Sequence, residues 1–135
     1  MVQAGSMQDA SSMAGLWVAL GGACGSLVRY GVGRLLGEYF PGIASMVATG
    51  LVNVLGAFFL GVVVTSFPVN PKPSWWVLFL GVGFCGGMTT FSTLAMELAD
   101  LVHARRYGEL VSYGLGSLFV GILAFLLGVW VVGRS

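Results

Sequence analysis

The sequence predicts an all-α membrane protein with four transmembrane helices per chain, and three observations carry that prediction. Of 135 residues, 57% are hydrophobic and only 8% are charged, with a mean hydropathy of +0.94. A soluble domain carries about 25% charged residues. Four apolar runs each meet the length of about 20 residues that a spanning helix needs. The separators between them are short and carry turn chemistry. Composition also closes off other classes. A net charge of +1 with six scattered basic residues gives no phosphate-tracking stripe, so no nucleic-acid partner is expected. No nucleophile–base pair or metal triad supports an enzyme. Cys24 and Cys85 lie in apolar segments without a C-x-x-C neighbour and read as small packing residues.

In chain order, residues 1–15 form a polar N-terminal leader, frayed or amphipathic, with Asp9 and no basic region of the kind a signal peptide carries. Residues 16–133 form a single four-helix transmembrane domain. The spans are Leu16–Leu36, Ile43–Phe67, Trp75–Glu97 and Leu110–Val132. Tyr39-Phe40-Pro41-Gly42 separates the first pair, and Pro68-Val69-Asn70-Pro71-Lys72-Pro73 the second. The third separator, His103 to Glu109, is the only charged loop of any size. Trp75, Trp76, Tyr39, Tyr107 and Trp130 fall near span ends, as an aromatic belt against membrane lipid does.

The third span is anomalous. Gly83-Phe84-Cys85-Gly86-Gly87-Met88-Thr89-Thr90-Phe91-Ser92-Thr93-Leu94 sets paired glycines beside a run of hydroxyls inside an apolar segment. This predicts a helix broken near Gly86-Gly87. Irregular backbone at membrane depth survives only where protein covers it or it lines a watery cavity. Its freed carbonyls then need a donor or a cation.

The other spans carry isolated polar residues. Arg29, buried centrally, would cost about 2.5–3.5 kcal/mol. It reads either as snorkelling to the interface or as a cation at the mouth of an anion pathway, and the two are compatible. Asn53 shares a helical face with Thr49 and reads as interhelical glue or as a neutral donor pointed into a pore. Thr89 and Thr93, and Tyr113 and Ser117, form i, i+4 pairs whose bland reading is a hydroxyl bonded back to its own helix. No carboxylate falls at mid-span. Glu97 and Asp100 sit where the third span ends and read as solvated or vestibule residues. Proton-coupled transport depends on an intramembrane carboxylate or histidine relay. Passive permeation of an ion therefore fits better than pumping.

Basic residues in the short loops fix orientation poorly, with Arg34, Arg105, Arg106 and nearby Arg29 on one side against Lys72 and Arg134. Insertion both ways round would permit an antiparallel dimer with its two-fold axis in the membrane plane. The 22 glycines, with spacings Gly21/Gly25, Gly33/Gly37 and Gly83/Gly87, predict tight packing and dimerisation.

Three stretches together resemble the CrcB/Fluc family of fluoride channels. They are Gly21-Gly22-Ala23-Cys24-Gly25-Ser26-Leu27-Val28-Arg29-Tyr30, Thr49-Gly50-Leu51-Val52-Asn53-Val54-Leu55-Gly56 and the glycine–threonine motif of the third span. The resemblance implies a dual-topology homodimer in the cell membrane that exports fluoride passively through two pores. It also implies a structural sodium ion at the dimer centre, held by the carbonyls of Gly86 and Thr89 of both subunits. By motif position Asn53 is the pore asparagine and Phe91 opens the phenylalanine box. Thr49, Ser92, Thr93, Tyr113 and Ser117 line the fluoride path, Arg29 stands at its entrance, and Glu97 matches a vestibule acid. One departure is Leu94, where the family has a second phenylalanine; Phe84, Phe58 and Phe119 are candidates to replace that ring. Leu94 also motivates an alternative, a non-conducting partner subunit that works with a paralogue. A small four-span drug/proton exporter is a further alternative, short of its carboxylate.

Overall fold

The computed structural model describes residues 2–40, 42–67 and 74–134, with side chains from residue 13 onward. Pro41 and the whole Pro68–Pro73 separator, Lys72 included, lie outside the described residues. The chain folds as α1 (Val2–Tyr39), α2 (Ala44–Ser66), a π-helix π1 (Val77–Cys85), α3 (Gly86–Met88), α4 (Phe91–His103) and α5 (Tyr107–Gly133). Helix α1 starts at Val2 and passes Leu16 without interruption.

Among the described residues, three stretches are long and apolar enough to cross a membrane: Ala44–Ser66, Val77–His103 and Tyr107–Gly133. Helix α1 has the length, at 38 residues, but is not among them. Arg29 and the glycines at 15, 21, 22, 25, 31 and 33 dilute its apolar run. Its place in the bundle comes from packing, since it lies along π1 and α3.

That packing explains two of the three glycine spacings. A Cβ on Gly21 would stand 2.1 Å from the Phe79 carbonyl oxygen, and one on Gly87 would stand 2.5 Å from that of Gly22. Such contacts bring backbone against backbone, which only glycine permits. Gly33 and Gly37 have nothing within 4 Å among the described residues of the chain, so they take no part in its internal packing. Helices α2 and α5 meet in the same way, a Cβ on Gly61 falling 2.3 Å from the Phe125 carbonyl.

The break in the third span falls two residues beyond the expected Gly86-Gly87. Gly86 is helical, with φ −62° and ψ −37°. Thr89 and Thr90 are extended instead, with φ, ψ of −75°, 154° and −148°, 113°. The glycine pair does not break the helix, and Gly87 serves close approach to α1. At one face of the bundle Trp75 stacks on Trp76 at 3.7 Å and meets Trp17 at 5.0 Å, joining the start of π1 to α1. Cys24 is exposed and Cys85 buried, both as free thiols.

Candidate functional site

The extended Thr89-Thr90 pair removes backbone partners at the centre of the bundle, and α2 supplies one replacement. Asn53 Oδ1 accepts from the Thr90 N–H at 2.7 Å, while Asn53 Nδ2 donates to the Thr90 carbonyl at 3.2 Å. The carboxamide thus pairs with both main-chain groups of one residue, as a neighbouring strand would. Thr90 then starts α4: its Oγ1 accepts from the Thr93 N–H at 3.2 Å, the bond that caps a helix N-terminus. The same hydroxyl lies 3.2 Å from Ser92 Oγ and donates to Thr93 Oγ1 at 3.0 Å.

Across the break, Thr89 Oγ1 bonds back to the Cys85 carbonyl at 3.0 Å, the local pattern expected of a hydroxyl on an apolar helix. Among the described residues no donor reaches the carbonyls of Gly86 or Thr89. Both residues line one concave surface of about 360 Å³, together with Gly56 and Cys85.

A second polar centre contradicts the sequence reading. Glu97 is only 4% exposed and so not solvated, although it lines a cavity of about 310 Å³ together with Asp100, Arg106 and Glu109. The third span continues to His103, which carries Glu97 inside the bundle between α2 and α5. Thr49 Oγ1 donates to Glu97 Oε1 at 3.0 Å, Ser45 Oγ donates to the same oxygen, and Tyr113 OH donates to Oε2 at 2.7 Å. A buried carboxylate needs such donors, and hydrogen bonds to a charged acceptor are roughly twice as strong as neutral ones. A hydroxyl has one hydrogen. The hydrogen of Thr49 therefore faces Glu97, and that of Tyr113 goes to Glu97 at 2.7 Å in preference to the Met46 carbonyl at 3.3 Å, so both hydroxyls leave lone pairs for any other guest.

The expected path residues fall into two cavities. Arg29, Thr49 and Thr93 line one of about 370 Å³, with Ser45 and Thr90. Asn53, Phe91 and Ser117 line the other, of about 530 Å³, with Leu94 and Phe125. The Asn53–Thr90 pair spans the two, Thr90 lining the first and Asn53 the second. Tyr113 sits at Glu97, and Ser92 belongs to the Thr90 hydroxyl cluster. Phe91 is 81% exposed and has no ring neighbour among the described residues.

The ring facing the Leu94 cavity from another helix is Phe125, and not Phe84, Phe58 or Phe119. Sequence spacing held part of the missed signal. Ser45 and Thr49 are four apart on α2, as Thr93 and Glu97 are on α4, so each pair shares a helical face. Nothing local marks Phe125, which enters through the α2–α5 packing.

A family profile described as CrcB-like protein, Camphor Resistance (CrcB), matches residues 16–129. Curated relatives named "Fluoride-specific ion channel FluC" match most of the chain. The protein from Gloeothece citriformis is 39% identical over 120 residues, covering 89% of this chain and 97% of its own. That from Thermosipho melanesiensis is 43% identical over 122 residues, covering 87% and 94%. That from Thermus thermophilus is 42% identical over 117 residues, covering 84% and 90%.

Proposed function

The chain belongs to the CrcB family, and from that membership we propose that it is a passive fluoride channel, not an enzyme, that relieves fluoride toxicity. It is a multi-pass protein of the cell membrane. The observation that carries the reading is the family match across residues 16–129, which takes in every polar group of the helix break. Residues 16–133 constitute the channel domain, and α1 is its fourth crossing. Two copies pack antiparallel in the membrane, as the near balance of loop charge permits.

Fluoride is small and strongly hydrated, so a pore has to replace its water with donors. Asn53 keeps one Nδ2 hydrogen beyond its bond to Thr90, and Ser117 lines the same cavity. The rim of the Phe91 ring is electropositive and faces an anion favourably. Ser92 and Thr93 lie on the neighbouring turn, and Arg29 lines the adjoining cavity as its entrance. Thr49 and Tyr113 join the path once Glu97 releases their hydrogens.

The Gly86 and Thr89 carbonyls, without a donor among the described residues and belonging to residues that line one concave face, suit a hard monovalent cation, which takes oxygen ligands, and sodium is the ion we assign there. A second copy would complete the donor set. Such an ion supplies a fixed positive charge near both fluoride paths.

In cells lacking their own fluoride exporter, expression of this chain is expected to restore growth on fluoride medium; no rescue by well-expressed protein would refute the reading. Phe91→Ile is expected to slow fluoride efflux up to about tenfold, since a favourable aromatic contact is worth about 0.5–1.5 kcal/mol. Because Phe91 is 81% exposed, the yield of folded protein should hold. Leu94→Phe adds a second ring to the same cavity and is expected to preserve or raise flux. A fall in flux with Leu94→Phe would show that the leucine is matched to its surroundings.

A further inference from the structure

We infer that Asn53 is a positioning residue for the cation site, acting through the peptide N–H of Thr90. The inference rests on the cation reading above. In an uninterrupted helix the N–H of residue i bonds to the carbonyl of residue i−4. The partner of the Gly86 carbonyl would then be the N–H of Thr90. Here that N–H is turned onto Asn53 Oδ1 at 2.7 Å, and the bond one residue earlier, from the Thr89 N–H to the Cys85 carbonyl, is intact at 3.0 Å. The ladder therefore stops at the residue whose donor Asn53 has taken.

Two consequences follow at the carbonyls. The Gly86 oxygen loses its helical donor and has no other among the described residues, and Gly86 lines the concave face. The Thr89 oxygen is freed because the next turn is capped from the side chain, the Thr93 N–H going to Thr90 Oγ1 and not to Thr89. Asn53 Nδ2 also holds the Thr90 carbonyl at 3.2 Å, which fixes the orientation of the extended segment. The carboxamide thus keeps the Gly86 ligand from being reabsorbed into a continuous helix, and by holding Thr90 it steadies the residue whose hydroxyl does the same for Thr89. It also faces the Phe91 cavity, so the anion path and the cation site share this residue.

The acceptor and donor halves of the carboxamide can be separated. Asn53→Asp keeps an oxygen for the Thr90 N–H but discards the amide donor and places negative charge on the anion path. Asn53→Ala discards both. Equilibrium dialysis of radioactive sodium against the purified full-length protein reads the site without any fluoride flux. With the acceptor that holds the break open removed, Asn53→Ala is expected to weaken sodium binding roughly fivefold. Asn53→Asp is expected to bind sodium at least as tightly as the parent while losing fluoride efflux. That split is one that a merely structural role would not produce. Amide exchange at Thr90 should quicken in Asn53→Ala and stay slow in Asn53→Asp.

Where Asn53→Ala is not recovered folded, Asn53→Ser, with a side chain too short to reach the same N–H, replaces it. Equal sodium affinity in Asn53→Ala and the parent overturns the inference and leaves the cation site standing. Equal weakening in Asn53→Asp and Asn53→Ala overturns it as well. No saturable sodium binding by the parent removes the cation site, and the inference falls with it.

Discussion

Gly25→Ala is expected to destabilise the fold by about 3 kcal/mol or more. A Cβ at this position would stand 2.1 Å from the Phe84 carbonyl oxygen and 2.8 Å from the Met88 nitrogen. Both atoms are backbone, so no rotamer change relieves the contact. Helix α1 would have to move away from π1 and α3, the elements that lead into the break. Overpacking a core typically costs about 1–3 kcal/mol, and a clash with two backbone atoms belongs at or beyond the top of that range. Gly31→Ala is the matched control, because nothing lies within 4 Å of a Cβ there. It should stay within about 0.5 kcal/mol of the parent. Thermal unfolding and gel filtration of the detergent-solubilised proteins distinguish the two. Equal behaviour would mean that α1 does not sit against π1 as described.

Glu97→Ala is the second large effect. It removes the acceptor of three hydroxyls from three positions on two other helices, Ser45, Thr49 and Tyr113. Hydrogen bonds to a charged group contribute about 1.5–3 kcal/mol each, and a buried donor left unpaired costs about 1–3 kcal/mol. A loss of roughly 3 kcal/mol or more is expected, after the hydroxyls find some substitute partners. Ser45→Ala, which removes one donor and leaves the carboxylate held by the other two, should lose no more than about 1.5 kcal/mol. If Glu97→Ala proves no worse than Ser45→Ala, the carboxylate does not organise the α2–α4–α5 junction.

These two residues also mark what the sequence could and could not disclose. Gly25 was legible because small residues at helical spacing announce close packing whatever their partner. The glycine–threonine motif was legible as a disturbance of the third span, since hydroxyls and paired glycines have no local reason to sit in an apolar run. Where the chain actually breaks was not legible. Gly86 and Gly87 look like helix breakers, yet Gly87 meets Gly22 at backbone distance, and only the neighbouring helix decides that. The extended pair is Thr89-Thr90 because Asn53, 37 residues away, offers the Thr90 peptide a better partner than its own helix does.

Glu97 was misjudged for the same reason. Its position at the end of an apolar run argued for solvent, while its three donors come from α2 and α5. The nine-residue π-helix Val77–Cys85 has no sequence signature at all, and such runs occur mostly as single-turn bulges. The packing of α1 shows the reverse. Among the described residues it is not one of the stretches apolar enough to cross a membrane, and its contacts along π1 and α3 follow from tertiary packing that composition does not announce.

The most direct test of the channel reading is halide efflux from liposomes that contain only this protein. With sodium present and no proton gradient, fluoride is expected to leave down its own gradient while chloride is retained, and an imposed pH difference should not drive it. Equal passage of fluoride and chloride, or fluoride movement only when protons flow the other way, would contradict a passive fluoride-selective path through Asn53 and Phe91.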